Sequence, residues 1–301
     1  MKILLTGSTG QLGNQISITK PEGVDLICLK RSSLDLTNFD SCFDIILKYK
    51  PDWVINAAAY TNVDKAESNR ELTLATNSNS LIAFSKALNI TGGKLLQISS
   101  DYVFNGNQNL PYKSSHPKSP INFYGYSKSQ AEENIAKEFK RNKNYLILRT
   151  SWVMGPKYKN FLLTMLNLHK EKTEIKVVSD QIGALTSTLS LSNACWKIIQ
   201  KYTKNNYQLK KCPILHFTNQ GETSWYKIAV LVGEIASRYD LISKSAEVIP
   251  ILTSDFKTAA KRPKYSVLDC SQTYEILNYF PPNWKTSIED IIKIIKANKV
   301  D

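Results

Sequence analysis

The 301-residue chain predicts an α/β fold in which a doubly wound parallel sheet, over residues 1–150, is joined to a smaller α+β region over residues 151–301. Three observations carry that prediction. Five apolar runs alternate with stretches of helical periodicity, the pattern of parallel strands linked by crossover helices. A glycine-rich loop separates the first run from the first helical stretch. After Arg149 the alternation weakens, and some later segments are expected to return to the main sheet.

The first strand is read at residues 2–6 and passes directly into GSTGQLG at residues 7–13. Gly7, Gly10 and Gly13 follow G-x-x-G-x-x-G, one residue longer than the Rossmann G-x-G-x-x-G. Glycines let the chain turn tightly and approach a pyrophosphate, which then sits on the amide groups of the helix N-terminus. The loop lies between strand and helix, where a Rossmann-like dinucleotide site begins. The second strand, 24–29, ends in Lys30 and Arg31. That strand end faces the adenosine ribose in such folds, where an acid binds a free 2′-hydroxyl and a base accepts a 2′-phosphate. Two cations and no acid favour NADPH, although a basic pair also serves NADH. Asp35, Leu36 and Thr37 read as the cap of a helix to about Lys50, with Asp35 in reach of the adenine. The third strand, 53–56, runs into Ala57, Ala58 and Ala59, whose small side chains leave room for a cofactor against the backbone. Residues 62–88 read as largely helical, with Asn77 on that helix.

The fourth strand, 94–100, ends in two hydroxyls, Ser99 and Ser100. A polar loop leads to YGYSK, read as the first turn of a helix beginning near Phe123 and continuing to about Phe139. Tyr124 and Lys128 are four residues apart and share a helical face. An ammonium beside a phenol favours the phenolate and lowers the phenol's pKa, which suits a proton donor to a carbonyl. Ser100 is placed to hydrogen-bond the oxygen that Tyr124 protonates, completing a Ser-Tyr-Lys set. Tyr207 and Lys211 have the same spacing by chance, with neither a strand end nor a glycine loop beside them. The fifth strand is 145–149.

In the second half, 150–156 and 180–186 read as loops, and 161–169, 189–201, 224–238 and 288–297 as helices. His116, His169 and His216 show no triad-like arrangement and are expected to be structural or surface residues. Cys28, Cys42, Cys195, Cys212 and Cys270 contain no C-x-x-C pair, which predicts buried free thiols and no zinc site. The net charge is +13 from 39 basic and 26 acidic side chains, and the lysines are evenly spread. That distribution predicts a solvated surface suited to anionic substrates, with no nucleic-acid partner. No apolar run approaches the ~20 residues of a membrane span, and Met1-Lys2 enters a strand with no signal-peptide pattern. A cytoplasmic protein without a membrane partner is expected.

These residues resemble the extended short-chain dehydrogenase/reductases and, among them, the dTDP-4-dehydrorhamnose reductase family. The resemblance rests on TGSTGQLG at 6–13, INAAAYTNVDKAES at 55–68, ISSDYVFNG at 98–106, YGYSKSQAE at 124–132 and LRTSWVMG at 148–155. DQIG at 180–183, HFTNQGETSW at 216–225 and RPKYSVLDCS at 262–271 extend it through the second half. It implies reduction of a 4-keto dTDP-sugar by a nicotinamide cofactor, with the smaller α+β domain binding substrate. Tyr124 would be the proton donor, Lys128 would lower its pKa and hold the nicotinamide ribose, and Ser100 would polarise the keto oxygen. Asp101, Tyr102 and Trp152 match positions that contact the sugar nucleotide. Gly10, Gln11, Leu12, Asp35, Leu36, Ala59, Tyr60 and Thr61 match cofactor positions. Gln15 replaces a glutamate that helps bind magnesium at a dimer interface in some members, which predicts no metal here; a monomer and a homodimer both remain open. Family members often carry Thr where this chain has Ser100, Met154 stands where Tyr is common, and Ala184-Leu185 departs from the usual ending after DQ.

Two other readings share these motifs. An epimerase or dehydratase on the same fold would hold NAD tightly and regenerate it. A non-catalytic NADP-binding regulatory subunit, like that of methionine adenosyltransferase, would keep the fold and the cofactor site without turnover.

Overall fold

The computed structural model describes residues 1–203 and 213–298, so Cys212 and the Tyr207/Lys211 pair lie outside the described residues. Six parallel strands form the central sheet: β1 (Lys2–Thr6), β2 (Asp25–Leu29), β3 (Trp53–Asn56), β4 (Lys94–Ser100), β5 (Tyr145–Thr150) and β6 (Ile214–His216). Their order is β6-β5-β4-β3-β1-β2. The chain winds outward in both directions from β1, so the switch point lies between β1 and β3. Ligands in open α/β sheets bind outside the carboxyl ends of strands at such a point.

Alternation along each strand decides which helix covers which face. Ile3 and Leu5 point to one side and pack with Leu12 and Ile16 of α1 (Gln11–Ile18). The same cluster takes in Leu191, Ile198 and Tyr202 from a second-half helix (Thr188–Thr203). Leu4 points to the other side, onto Ile46 of α2 (Phe39–Tyr49), Phe84 and Leu88 of α3 (Ser80–Thr91), and Ile135 of α4 (Phe123–Glu138). Each of these fully buried aliphatic side chains contributes roughly 1.5–3 kcal/mol relative to exposure. A third cluster lies in the second half, where helices Phe161–Glu171, Trp225–Arg238 and Trp284–Ala297 bring together Leu162, Met165, Ile228, Val232, Ile288 and Ile292.

Several local readings change. The helix to Tyr49 is capped by Asn38, which accepts from Ser41 N at 2.9 Å, and not by Asp35. Asp35 instead folds back on its own turn, accepting from Thr37 N and Thr37 Oγ1 at 2.9 Å each. The 62–88 stretch is broken into Val63–Ala66, Arg70–Leu74, a π-helical turn Ala75–Asn79, and α3. Within the predicted loops, Val153–Met154 pairs with Thr186–Ser187, and Ile182–Gly183 with Thr223–Ser224. Strands Glu174–Val178 and Glu247–Ile251 pair in parallel, and helix Ser271–Leu277 was not anticipated. Cys42, Cys195 and Cys270 are buried free thiols, but Cys28 is exposed because β2 is the sheet's edge. Among the described residues no helix is long and apolar enough to cross a membrane.

Candidate active site

The glycine turn is shaped by steric necessity. Gly7 has φ +68°, and a Cβ there would lie 2.7 Å from Ala58 N, so a side chain would collide with the end of β3. A Cβ on Gly13 would meet Gly7 O at 2.1 Å, so its absence lets α1 press against the turn. Gly10 caps α1 and donates its N–H to Gly7 O at 2.9 Å. The cap has no side chain to satisfy the helix N-terminus, which leaves amides suited to an anion. Gln11 Oε1 accepts from Asn160 Nδ2 at 3.0 Å, which ties this turn to the second half.

Beside the turn, a cavity of about 190 Å³ is lined by Gly7, Lys30, Arg31, Asp35, Leu36, Ala58, Ala59 and Tyr60. Its size and position at the β2 end suit an adenosine. An acid is present after all, since Asp35 lies in this wall. Its two hydrogen bonds from Thr37, aided by the charge of Arg31, hold the carboxyl below its ordinary value.

A larger cavity of about 660 Å³ opens from the same turn and takes in Gly10, Gln11, Leu12, Ala57, Thr61, Ser100, Asp101, Tyr102, Tyr124, Lys128 and Trp152. The two cavities share Gly7, Thr9, Ala58 and Ala59. All the residues expected from sequence to be catalytic or to bind cofactor or sugar line one or the other except Gly13, which acts from behind by packing. A dinucleotide fits this paired cradle: small residues face the backbone, cations flank one end, and the Ser-Tyr-Lys set lies at the other.

Helix α4 brings Tyr124 and Lys128 to the end of β4. Asn122 caps it by accepting from Gly125 N at 2.8 Å. Gly125 is required because a Cβ there would stand 2.1 Å from Tyr102 O, so only glycine lets the helix cross the strand end this closely. Ser100 Oγ donates to Asp101 Oδ1 at 2.9 Å and accepts from Tyr102 N at 3.1 Å. The rings of Tyr102 and Tyr124 meet edge to face, their centroids 5.9 Å apart. Asn77, in the π-helical turn, accepts from Tyr60 N at 2.7 Å and donates to Ser127 Oγ at 2.9 Å. It thereby joins the cofactor wall to α4, and π-turns recur at functional sites.

The electrostatics differ from the simple Tyr-Lys expectation. Burial, reinforced by the charge of Asp101, pushes the Tyr124 phenol up to about 12, with the Ser100 hydroxyl pulling the other way. Lys128 Nζ donates to the Ile98 carbonyl at 2.7 Å. Burial pulls its ammonium down to about 8, opposed by Glu132. Burial also pushes the Asp101 carboxyl up to about 7, against the hydrogen bond it accepts from Ser100. The phenol is therefore fully protonated at neutral pH, while the groups around it titrate nearer neutrality.

Sequence reasoning missed Trp225, which lines the larger cavity and stacks on Trp152 with centroids 3.8 Å apart and planes at 17°. Trp152 adopts φ +45°, unusual for a bulky residue. Gly183 makes room for its indole, since a Cβ there would touch the ring at 2.6 Å. Trp225 opens a helix immediately after its Ser224 cap. That cap was the one available signal, and it said nothing about what the indole faces.

The parallel sheet, the glycine turn at its switch point and the Ser-Tyr-Lys end of β4 define the dinucleotide-binding class of short-chain dehydrogenases/reductases. The chain belongs to the family described as the RmlD substrate binding domain, which matches residues 1–297. It is 32% identical over 292 residues to a dTDP-4-dehydrorhamnose reductase of Aggregatibacter actinomycetemcomitans, covering 96% of this chain and 98% of that one. It is 34% identical over 295 residues to the spore coat polysaccharide biosynthesis protein SpsK of Bacillus subtilis, covering 97% of each. A crystal structure of a dTDP-4-dehydrorhamnose reductase from Clostridium acetobutylicum superposes with a TM-score of 0.88 at 35% identity, over 98% of this chain and 100% of that one. Another, from Bacillus anthracis in complex with NADP, gives 0.87 at 32% identity, over 97% and 99%.

Proposed function

We propose that this protein reduces the 4-keto group of dTDP-4-dehydro-L-rhamnose to give dTDP-L-rhamnose, with NADPH as reductant. The observation that carries the reading is the meeting of Ser100, Tyr124 and Lys128 in one cavity with the glycine turn. The names of the relatives and the NADP in a similar structure support the substrate and the cofactor. Gly7, Gly10, Gln11, Leu12 and Gly13 would cradle the pyrophosphate, and Lys30 with Arg31 the 2′-phosphate. Ala57, Ala58, Ala59, Tyr60 and Thr61 would flank the cofactor along β3, with Asp35 and Leu36 at the adenine. When bound, NADPH supplies the hydride for the carbonyl carbon.

The chain supplies orientation and the proton. Ser100 turns its hydroxyl from Asp101 to donate to the keto oxygen, and Tyr124 transfers its phenolic proton to that oxygen as the alkoxide forms. A phenol near 12 is a ready donor to an alkoxide. The Lys128 ammonium stabilises the phenolate left behind and holds the nicotinamide ribose. Asp101, Tyr102 and Trp152 hold the sugar, and Trp225 backs Trp152. In the same reading residues 1–150 chiefly hold the cofactor and 151–301 the sugar nucleotide, in a cytoplasmic monomer or homodimer.

The test is to mix the protein with NADPH and dTDP-4-dehydro-L-rhamnose, following absorbance of the reduced nicotinamide and chromatography of the sugar nucleotide. Stoichiometric NADPH loss with dTDP-L-rhamnose appearing is expected. Binding of NADPH without its consumption would refute the reaction and favour the regulatory reading.

A further inference from the structure

Lys128 is anchored by a neutral acceptor. The Ile98 carbonyl that receives its ammonium also accepts from Gln97 Nε2 at 2.6 Å. Gln97 in turn accepts from Asn56 Nδ2 at 2.7 Å, and Asn56 from the Thr6 hydroxyl, so a rung of polar side chains crosses β1, β3 and β4. That rung fixes where the ammonium sits but does nothing to offset its charge.

The offsetting charge lies one helical turn further along α4. Glu132 and Lys128 share a face at i, i+4, and both are buried, at 2% and 3% exposure. Glu132 is held from three sides: Oε1 accepts from Ser99 Oγ at 2.6 Å and from Arg149 Nε at 2.9 Å, and Oε2 accepts from Arg149 at 2.6 Å. Lys118 approaches Oε2 at 3.9 Å. Ser99 adjoins Ser100, and Arg149 lies on β5, so one carboxylate locks α4 to two strand ends. The titratable groups that act on Glu132 are Lys128 on its own helix, Arg149 and Tyr145 on β5, and Lys118. His216 on β6 contacts Arg149 at 3.3 Å and is kept neutral by burial.

We propose that Glu132 is a positioning residue for Lys128: its buried carboxylate, clamped between α4, β4 and β5, keeps the lysine ammonium charged in the cavity it shares with Ser100 and Tyr124. The proposal rests on the role given to Lys128 above. A bidentate Glu-Arg pair serves fold stability in any protein. What sets this one apart is that the same carboxylate opposes the loss of charge on Lys128.

The test titrates Lys128 directly, by NMR of protein labelled with ¹³C at lysine Cε, the resonance being the one absent from Lys128→Met. Wild-type protein should titrate near 8. Glu132→Gln should move the midpoint at least about one unit lower, the scale of a lost opposite charge. Because Glu132→Gln leaves Arg149 as a buried unpaired cation, the double variant Glu132→Gln/Arg149→Met is measured beside it and should shift the same way. In turnover, the alkaline limb of kcat/KM should move to lower pH by the same amount, while Arg149→Lys, which keeps the carboxylate, leaves the limb in place. An unmoved midpoint in either folded Glu132 variant overturns the proposal. If the wild type turns over no 4-keto sugar, the reaction assignment fails, and the NMR titration still decides the role of Glu132.

Discussion

Gly13→Ala tests the packing logic of the cofactor turn with one methyl group. The added Cβ would stand 2.1 Å from Gly7 O, 2.7 Å from Gly7 C and 2.8 Å from Ser8 Cα. All three are backbone atoms, so no flexible side chain can yield. An ordinary contact needs more than 3.4 Å, so α1 and the turn must separate by over an ångström. Overpacking of this kind costs about 1–3 kcal/mol, and the rigid neighbours put this site at the upper end. In a chain of this size that is a fall in Tm of roughly 2–5 °C. The separation also displaces the amides that would hold the pyrophosphate. Saturating NADP raises stability by about 2.7 kcal/mol at 100 times its Kd, and most of that gain should vanish in the variant at the same NADP concentration. Gly23→Ala is the control: its own positive φ, +73°, strains a side chain, but nothing lies within 4 Å, so it should lose some stability and keep its NADP response. Thermal unfolding with and without NADP reads both effects. Wild-type Tm and NADP response in Gly13→Ala would refute the reasoning.

Other outcomes follow from the same geometry. Arg31→Ala should weaken NADPH roughly tenfold, a lost charge-assisted hydrogen bond, and leave NADH binding nearly unchanged; equal losses by fluorescence titration would remove Arg31 from the 2′-phosphate. Trp225→Ala should raise the sugar-nucleotide KM about tenfold through the lost ring stack, with kcat less affected, and an unchanged KM would separate Trp225 from the substrate. His216 has its pKa depressed to about 3 from an unfolded value near 6.5, so the stability it contributes is present above 6.5 and lost as pH falls from there toward 3. His216→Asn should flatten the acid fall in denaturation midpoint across that window, and an identical pH profile would contradict the depressed value.

The first half of the fold was legible because its signals are local. Each of β1 to β5 is an apolar run bounded by polar or glycine-containing turns, the Gly7 and Ser100 motifs sit at strand ends, and the Tyr124 motif opens a helix. What failed locally did so where two neighbours offered equal chemistry: Asp35 and Asn38 both make good caps, and only the backbone path decided for Asn38. The second half depended on distant partners. Strand Glu174–Val178 finds its mate at Glu247–Ile251, more than seventy residues away. Trp225 acquires its place in the site from Trp152 and from Gln181, which accepts its indole N–H at 3.2 Å. Glu132 figured in the sequence only as the last residue of YGYSKSQAE, and only the fold brings Ser99 and Arg149 to it. The depressed Lys128 and raised Tyr124 pKa values come from burial, which no spacing encodes.

The central claim is that the Tyr124 phenol donates the proton to the sugar's keto oxygen. Its most direct test is single-turnover NADPH oxidation by Tyr124→Phe with saturating dTDP-4-dehydro-L-rhamnose, alongside a separate NADPH titration. The account predicts a rate lower by about 10²–10⁴, with NADPH affinity close to that of the wild type. A rate within a fewfold of the wild type would contradict it and place the proton donor elsewhere in the cavity.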